Sequence, residues 1–240
     1  MLLLALVLPA CSTTADQANA LKSAQVHTEL AGLYYQRAQY GVALEELNNA
    51  FKADQDYAPA YSVRGLIHMA LHEDKDAEAD FKKSLRLDDT DSDTHNNYGW
   101  FLCQRGRPGE SIEQFMAAIK NPLYPTPGLA YLNAGLCSRK AGDDKEAEDF
   151  LQKALQVQPD LTPAMYALAD LNFADGDYFA AKKYFAKFSQ KTDNLTAEQL
   201  WLGVRINRKV RDRNSEASYA AQLRNRYPDS REAQSLTNGE

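Results

Sequence analysis

The chain predicts an all-α fold, built from six helical hairpins stacked in register. Three rows of residues with one shared spacing carry that prediction. Ala31, Gly65, Gly99, Gly135, Ala169 and Gly203 form a small row, separated by 34, 34, 36, 34 and 34 residues. Ala43, Ala77, Ser111, Ala147, Ala181 and Ser215 form a second small row with the same separations. Leu47, Phe81, Phe115, Leu151, Phe185 and Tyr219 form a bulky row, again in step. A glycine inside a helix costs about 1 kcal/mol against alanine. The glycines of the first row therefore need a packing reason, and close helix–helix approach supplies one.

A period of 34 with these residue types resembles the tetratricopeptide repeat, over residues 23–231. The resemblance implies a right-handed superhelix of six hairpins, the last degenerate and capping. The small rows let helix A and helix B of one hairpin approach each other. The bulky row fills the space between hairpins. Gly106, Gly142-Asp143 and Gly176-Asp177 mark turns between A and B helices. Pro159 and Pro228 lie just past B helices, which proline cannot continue. The repeats run about 24–57, 58–91, 92–127, 128–161, 162–195 and 196–231. The single two-residue insertion falls in Asn121-Pro-Leu-Tyr-Pro-Thr-Pro-Gly128, where three prolines forbid helix. Gln222 stands where earlier repeats have Ala50, Ser84, Ala118 and Ala154, as a polar terminal repeat requires.

The 240 residues, 44% of them hydrophobic, suffice for one elongated domain or two compact ones. A net charge of -6 argues against nucleic acid as a partner. Nothing approaches the roughly 20 consecutive apolar residues of a membrane-spanning helix. Residues 1–10 are apolar and stop at Cys11, which fits the apolar core of a secretory signal. Leu8-Pro9-Ala10-Cys11 resembles a bacterial lipobox. That resemblance implies cleavage before Cys11 and acylation of Cys11, each buried methylene of the acyl chains contributing about 0.8 kcal/mol to anchoring. Ser12, in place of an aspartate, implies the outer membrane as destination. The bland alternative is an apolar start with an incidental cysteine. Residues 11–22 are small and polar and read as a lipidated N-terminus and flexible tether. The repeat solenoid takes residues 23–240.

Helix A of each repeat is expected to line the concave side. One residue after the small row stand Leu66, Trp100 and Leu136; four after it stand Met69 and Phe173. Such pairs lie one helical turn apart on one face. With Tyr166 they form a candidate track for an apolar or β-prone peptide. Asn97 and Asn133, each two before the small residue, could bond the backbone of an extended ligand. Leu66 and Leu136 read equally well as inter-repeat core, because periodic apolar positions are most often core.

Cys103 and Cys137 fall on nearly opposite sides of successive A helices. In an exported, oxidised protein they are expected to form a Cys103–Cys137 disulfide; two separate buried thiols are the alternative. His68 and His72 are four apart, but no zincin glutamate follows and no third ligand is visible in the sequence. No phosphate loop or nucleophile elbow is present. No catalytic residue, metal or cofactor is therefore expected. Arg205, Arg208, Lys209, Arg211 and Arg213 make the last repeat basic, as a solvated face or a contact for headgroups or an acidic partner.

Asn96-Asn97-Tyr98-Gly99-x-Phe101-Leu102, Leu123-Tyr124-Pro125 and Asn133-x-Gly135 together resemble the PilF/PilW type IV pilus lipoproteins. Leu200-Trp201-Leu202-Gly203-x-Arg205-Ile206 and Leu223-x-x-x-Tyr227-Pro228-x-Ser230 fit the same family. The resemblance implies a non-enzymatic, pilotin-like lipoprotein of the outer membrane with its repeat domain in the periplasm. Its groove would bind the pilus secretin and promote its localisation, multimerisation or stability, with other pilus assembly proteins as further partners. Neither nucleic acid nor a small-molecule substrate is implied. Trp100 departs from the small residue of some relatives, which puts ligand details in doubt. The alternative is a general periplasmic adaptor lipoprotein that scaffolds cell-envelope enzymes.

Overall fold

Turn chemistry fixes where each hairpin bends. Gly106, Gly142 and Gly176 adopt φ of 72°, 86° and 85°, a left-handed conformation that costs glycine nothing. Asp143 and Asp177 follow two of them directly, and their side chains accept from the backbone N–H of Glu146 and Ala180. One residue thus ends helix A and the next caps helix B. Ala38, His72 and Arg211 take the same conformation without being glycine, so those three turns hold local strain.

The computed structural model describes residues 12–238, and all regular secondary structure in them is helical. The order is α1 (Ser12–Gln36), α2 (Tyr40–Ala53), α3 (Ala58–Ala70), α4 (Asp74–Leu87), α5 (Ser92–Gln104), α6 (Pro108–Lys120), α7 (Pro127–Lys140), α8 (Asp144–Val157), α9 (Thr162–Ala174), α10 (Tyr178–Gln190), α11 (Ala197–Lys209), α12 (Arg213–Arg226) and α13 (Arg231–Asn238). No helix among the described residues is long and apolar enough to cross a membrane. The chain divides into two units: unit one ends at Tyr124, and unit two begins at Pro125. The junction lies in the proline-rich insertion.

Within each unit the three rows meet as the period requires. A Cβ placed on Gly99 would lie 2.8 Å from the Phe115 ring and 3.1 Å from the Ser111 carbonyl oxygen. One placed on Gly135 would lie 2.7 Å from Leu151 and 3.1 Å from the Ala147 carbonyl oxygen. The first small row is therefore the seat of the bulky residue and helix B of its own hairpin. Ser111 Oγ adds a buried hydrogen bond to the Gly99 carbonyl at 2.7 Å. The bulky residue also reaches the next hairpin: Phe81 packs on Tyr98 and Phe101, with centroids 5.6 and 5.7 Å apart.

Polar side chains join neighbouring hairpins at the surface. Arg105 pairs with Asp74, and Lys182 with Asp212. Glu78 of α4 binds Lys82 Nζ at 2.7 Å, Arg107 Nη1 at 2.9 Å and the Tyr98 hydroxyl at 3.1 Å. Lys82, then Arg107 and Tyr98, hold the Glu78 carboxyl down to about 2 from its ordinary 4.5. A carboxyl depressed by folding stabilises fully above its unfolded value and loses that contribution as pH falls through the folded value. The thermal midpoint of unit one is therefore expected to fall between pH 4.5 and about 2, and less steeply in Glu78→Gln, as circular dichroism melts across that range would show.

One expectation changes. The tether expected over residues 11–22 is, from Ser12 onward, the start of α1, with residues 14–19 exposed. Ala15, Ala18, Ala20, Leu21 and Lys22 are strong helix formers and no Gly or Pro interrupts them. The sixth hairpin, α11 and α12, is followed by one short further helix. Helix α13 lies against α11 and α12, with Ala233 buried and Leu236 packed on the terminal core. The Ser230 hydroxyl accepts from the Ala233 N–H at 3.1 Å and starts that helix.

Candidate functional site

All eight residues expected to line the groove are half-buried, none fully in the core and none freely exposed. In unit one, Leu66 and Met69 lean on a buried cluster of Ala77, Phe81, Tyr98, Phe101 and Leu102. They are the rim of the core as much as a surface. Asn97 and Trp100 complete the unit-one part of the set. The Trp100 ring stacks on no other ring among the described residues.

In unit two the face is more polar than its apolar periodicity suggests. Leu136 of α7 and Tyr166 of α9 line a cleft of about 520 Å³ with Arg139, Pro163, Asp170 and Phe188 among its other walls. Arg139 Nη2 and Asp170 Oδ2 pair at 2.7 Å there. The Tyr166 ring packs on Phe188 at 5.2 Å. Burial, followed by the charges of Glu198 and Asp170, pushes the Tyr166 hydroxyl up to about 12, against the opposing pull of Arg205 and Arg139. Phe173 packs on Tyr178 at 5.5 Å and carries the Arg205 guanidinium 4.7 Å above its ring. Asn133, on α7, is engaged with other groups of the protein. The face stops at α11, where Val204 and Asn207, at the positions equivalent to Asp170 and Phe173, are buried in the core.

Cys11 lies outside the described residues. Cys103 and Cys137 are both buried, and each is half of a disulfide. The histidine pair resolves differently from its spacing. His68 faces Glu73 and Asp76 rather than His72, and the three ligand atoms lie within 4.8 Å of one another. Both carboxylates are exposed and Glu73 already bonds His68 Nδ1, the geometry of a solvated ion pair. The basic last repeat is largely satisfied: Arg208 Nε bonds Glu216 at 2.8 Å, and Lys209 Nζ lies 5.5 Å above the Tyr178 ring. Arg205 alone of this run lies over an aromatic ring of α9, that of Phe173. Sequence reading placed it in a charge run, because spacing along one helix does not reveal an aromatic ring supplied by the previous hairpin.

Known proteins match the whole arrangement. Tetratricopeptide-repeat family models match residues 81–113, 129–161 and 163–191. The chain is 30% identical over 239 residues to the type IV pilus assembly protein PilF of Pseudomonas aeruginosa, covering 97% of this chain and 94% of that one. A crystal structure of PilW, described as a widely conserved type IV pilus biogenesis factor, aligns with a TM-score of 0.80 and 34% identity over 89% of this chain and 98% of its own. The structure of Pseudomonas aeruginosa PilF aligns with a TM-score of 0.83 and 27% identity, covering 92% and 100%.

Proposed function

We propose, from the premise that this chain belongs to the PilF family of type IV pilus assembly proteins, that it is a pilotin-like lipoprotein in type IV pilus biogenesis. The observation that carries the reading is identity to PilF along nearly the full length of both chains, together with the insertion and terminal motifs that set this family apart from repeat proteins at large. The tetratricopeptide fold is a protein-interaction scaffold, and Leu66 and Trp100 in unit one, and Leu136, Tyr166 and Phe173 in unit two, are half-buried apolar groups that it offers. In this reading the groove holds a segment of the pilus secretin. Acyl chains on Cys11 carry the complex to the outer membrane while the repeats stay in the periplasm.

The test follows secretin in cell fractions. Deleting the gene is expected to leave secretin monomeric or in the inner membrane. Cys11→Ser is expected to give a soluble periplasmic protein that fails to restore multimers to the outer membrane. Secretin that stays multimeric and outer-membrane-located in the deletion strain overturns the reading; capture of cell-wall enzymes instead of secretin would favour the general adaptor. Export into an oxidising compartment carries a chemical expectation as well. The mature protein, denatured without reductant and treated with a thiol reagent, is expected to show no free thiol at Cys103 or Cys137, and two labelled positions would contradict it.

A further inference from the structure

The concave face of unit two holds a cation without an anion. Arg205 is stacked on Phe173, and its Nε is enclosed without a hydrogen-bond partner. Among the described residues no carboxylate pairs with it, whereas Arg139 pairs with Asp170, Arg208 with Glu216 and Lys182 with Asp212. An enclosed polar group without a partner is costly, and the planar fork of the remaining guanidinium N–H donors matches a carboxylate through two parallel bonds. Phe173, which carries Arg205, stands one helical turn after Asp170 on α9, and Asp170 lines the 520 Å³ cleft together with Tyr166, Leu136 and Phe188. Apolar walls beside one unsatisfied cation complement an acidic side chain next to an apolar one.

We propose that Arg205 anchors the carboxylate of an aspartate or glutamate in an extended partner segment, whose neighbouring aliphatic or aromatic side chain enters the cleft between Leu136, Tyr166 and Phe188. This rests on the reading of the concave face as the binding groove, and adds the chemistry of what that groove selects. Asp170 does not compete for the role of anion, because Arg139 already holds it.

The test immobilises the full chain and selects from a phage-displayed library of random dodecapeptides. The enriched peptides are expected to carry an acidic residue beside an aliphatic or aromatic one. A synthetic copy of the most enriched peptide is expected to bind Arg205→Gln about tenfold more weakly or worse, and Arg208→Gln unchanged. Replacing the acidic residue of the peptide by its amide should cost the same factor against the unaltered protein and nothing further against Arg205→Gln. That arm decides the matter even if Arg205→Gln melts early. Enriched peptides without acidic residues, or binding indifferent to the peptide's carboxylate, overturn the assignment. Leu136→Asp separates the two levels: if it abolishes binding while the carboxylate has no effect, only the anchor is wrong. If neither change matters, or nothing is enriched, the groove reading falls with it.

Discussion

Gly99→Ala is expected to destabilise unit one by about 2 kcal/mol and lower its unfolding midpoint by about 8 °C. Helix propensity alone predicts a gain of about 1 kcal/mol from this change, so the sign of the result decides which effect rules. The new Cβ would sit 2.8 Å from the Phe115 ring, and Phe115 is fully buried. The Ser111 carbonyl oxygen at 3.1 Å closes the other way out, so helix A must move away from helix B. That shift also stretches the hydrogen bond from Ser111 to the Gly99 carbonyl. Gly32 supplies the control, because a Cβ there meets nothing within 4 Å. Gly32→Ala is expected to raise the midpoint through propensity alone. Thermal melts of the two variants beside the unaltered chain make the comparison, and a neutral Gly99→Ala would disprove close approach as the reason for the glycine.

The second large effect lies in the hinge of α3 and α4. Arg64 donates from Nε and Nη2 to the two oxygens of Asp80, each at 2.7 Å. The carboxylate is nearly enclosed, with 9% of its side chain exposed. The guanidinium also lies against the Phe51–Tyr61 ring pair, 4.7 and 5.2 Å from the two centroids. Arg64→Ala removes the fork and leaves the nearly enclosed Asp80 with only the His68 ring beside it, Nε2 at 3.7 Å, at a cost of about 3 kcal/mol. The argument has a sharper form in the double variant. Adding Asp80→Leu removes the stranded charge, so Arg64→Ala with Asp80→Leu should be more stable than Arg64→Ala alone. Denaturant unfolding of the four members of the cycle measures this, and additive losses would contradict it.

The hairpins were legible because each row repeats a steric requirement: no other residue type fits where Gly99 faces Phe115, and three such requirements shared one spacing. Helix ends were legible where Gly and Asp fall together, as at Gly142-Asp143, and less so at Ala38 or His72, where an unfavourable residue adopts the same turn. The extent of α1 was hidden because small polar residues suit a tether and an alanine-rich helix alike. Helix α13 was hidden because eight residues carry too little period to show. The site was legible only in part. Positions on the concave face follow from spacing, but Leu66 and Met69 divide their surface between core and groove in a way that depends on Tyr98 and Phe101 of the next hairpin. The pairing of Arg139 with Asp170, and the isolation of Arg205, arise between helices about a repeat apart in sequence and leave no trace along any one of them.

The surface bonds from one hairpin to the next have a dynamic consequence. Within each unit, helices pack substantially only on their own hairpin or the adjacent one, and links such as Arg105 to Asp74 or Tyr227 to the Leu195 carbonyl span that single step. Such an array behaves as a one-dimensional chain of nearest-neighbour couplings. It closes only short loops as it folds, which favours rapid assembly, and it opens by fraying inward from a terminal hairpin rather than by bursting from the middle. Amide exchange is therefore expected to be slowest around Phe81 and Phe185 and to quicken toward α1 and α13. Each of those two helices is the outer fastener of its own unit.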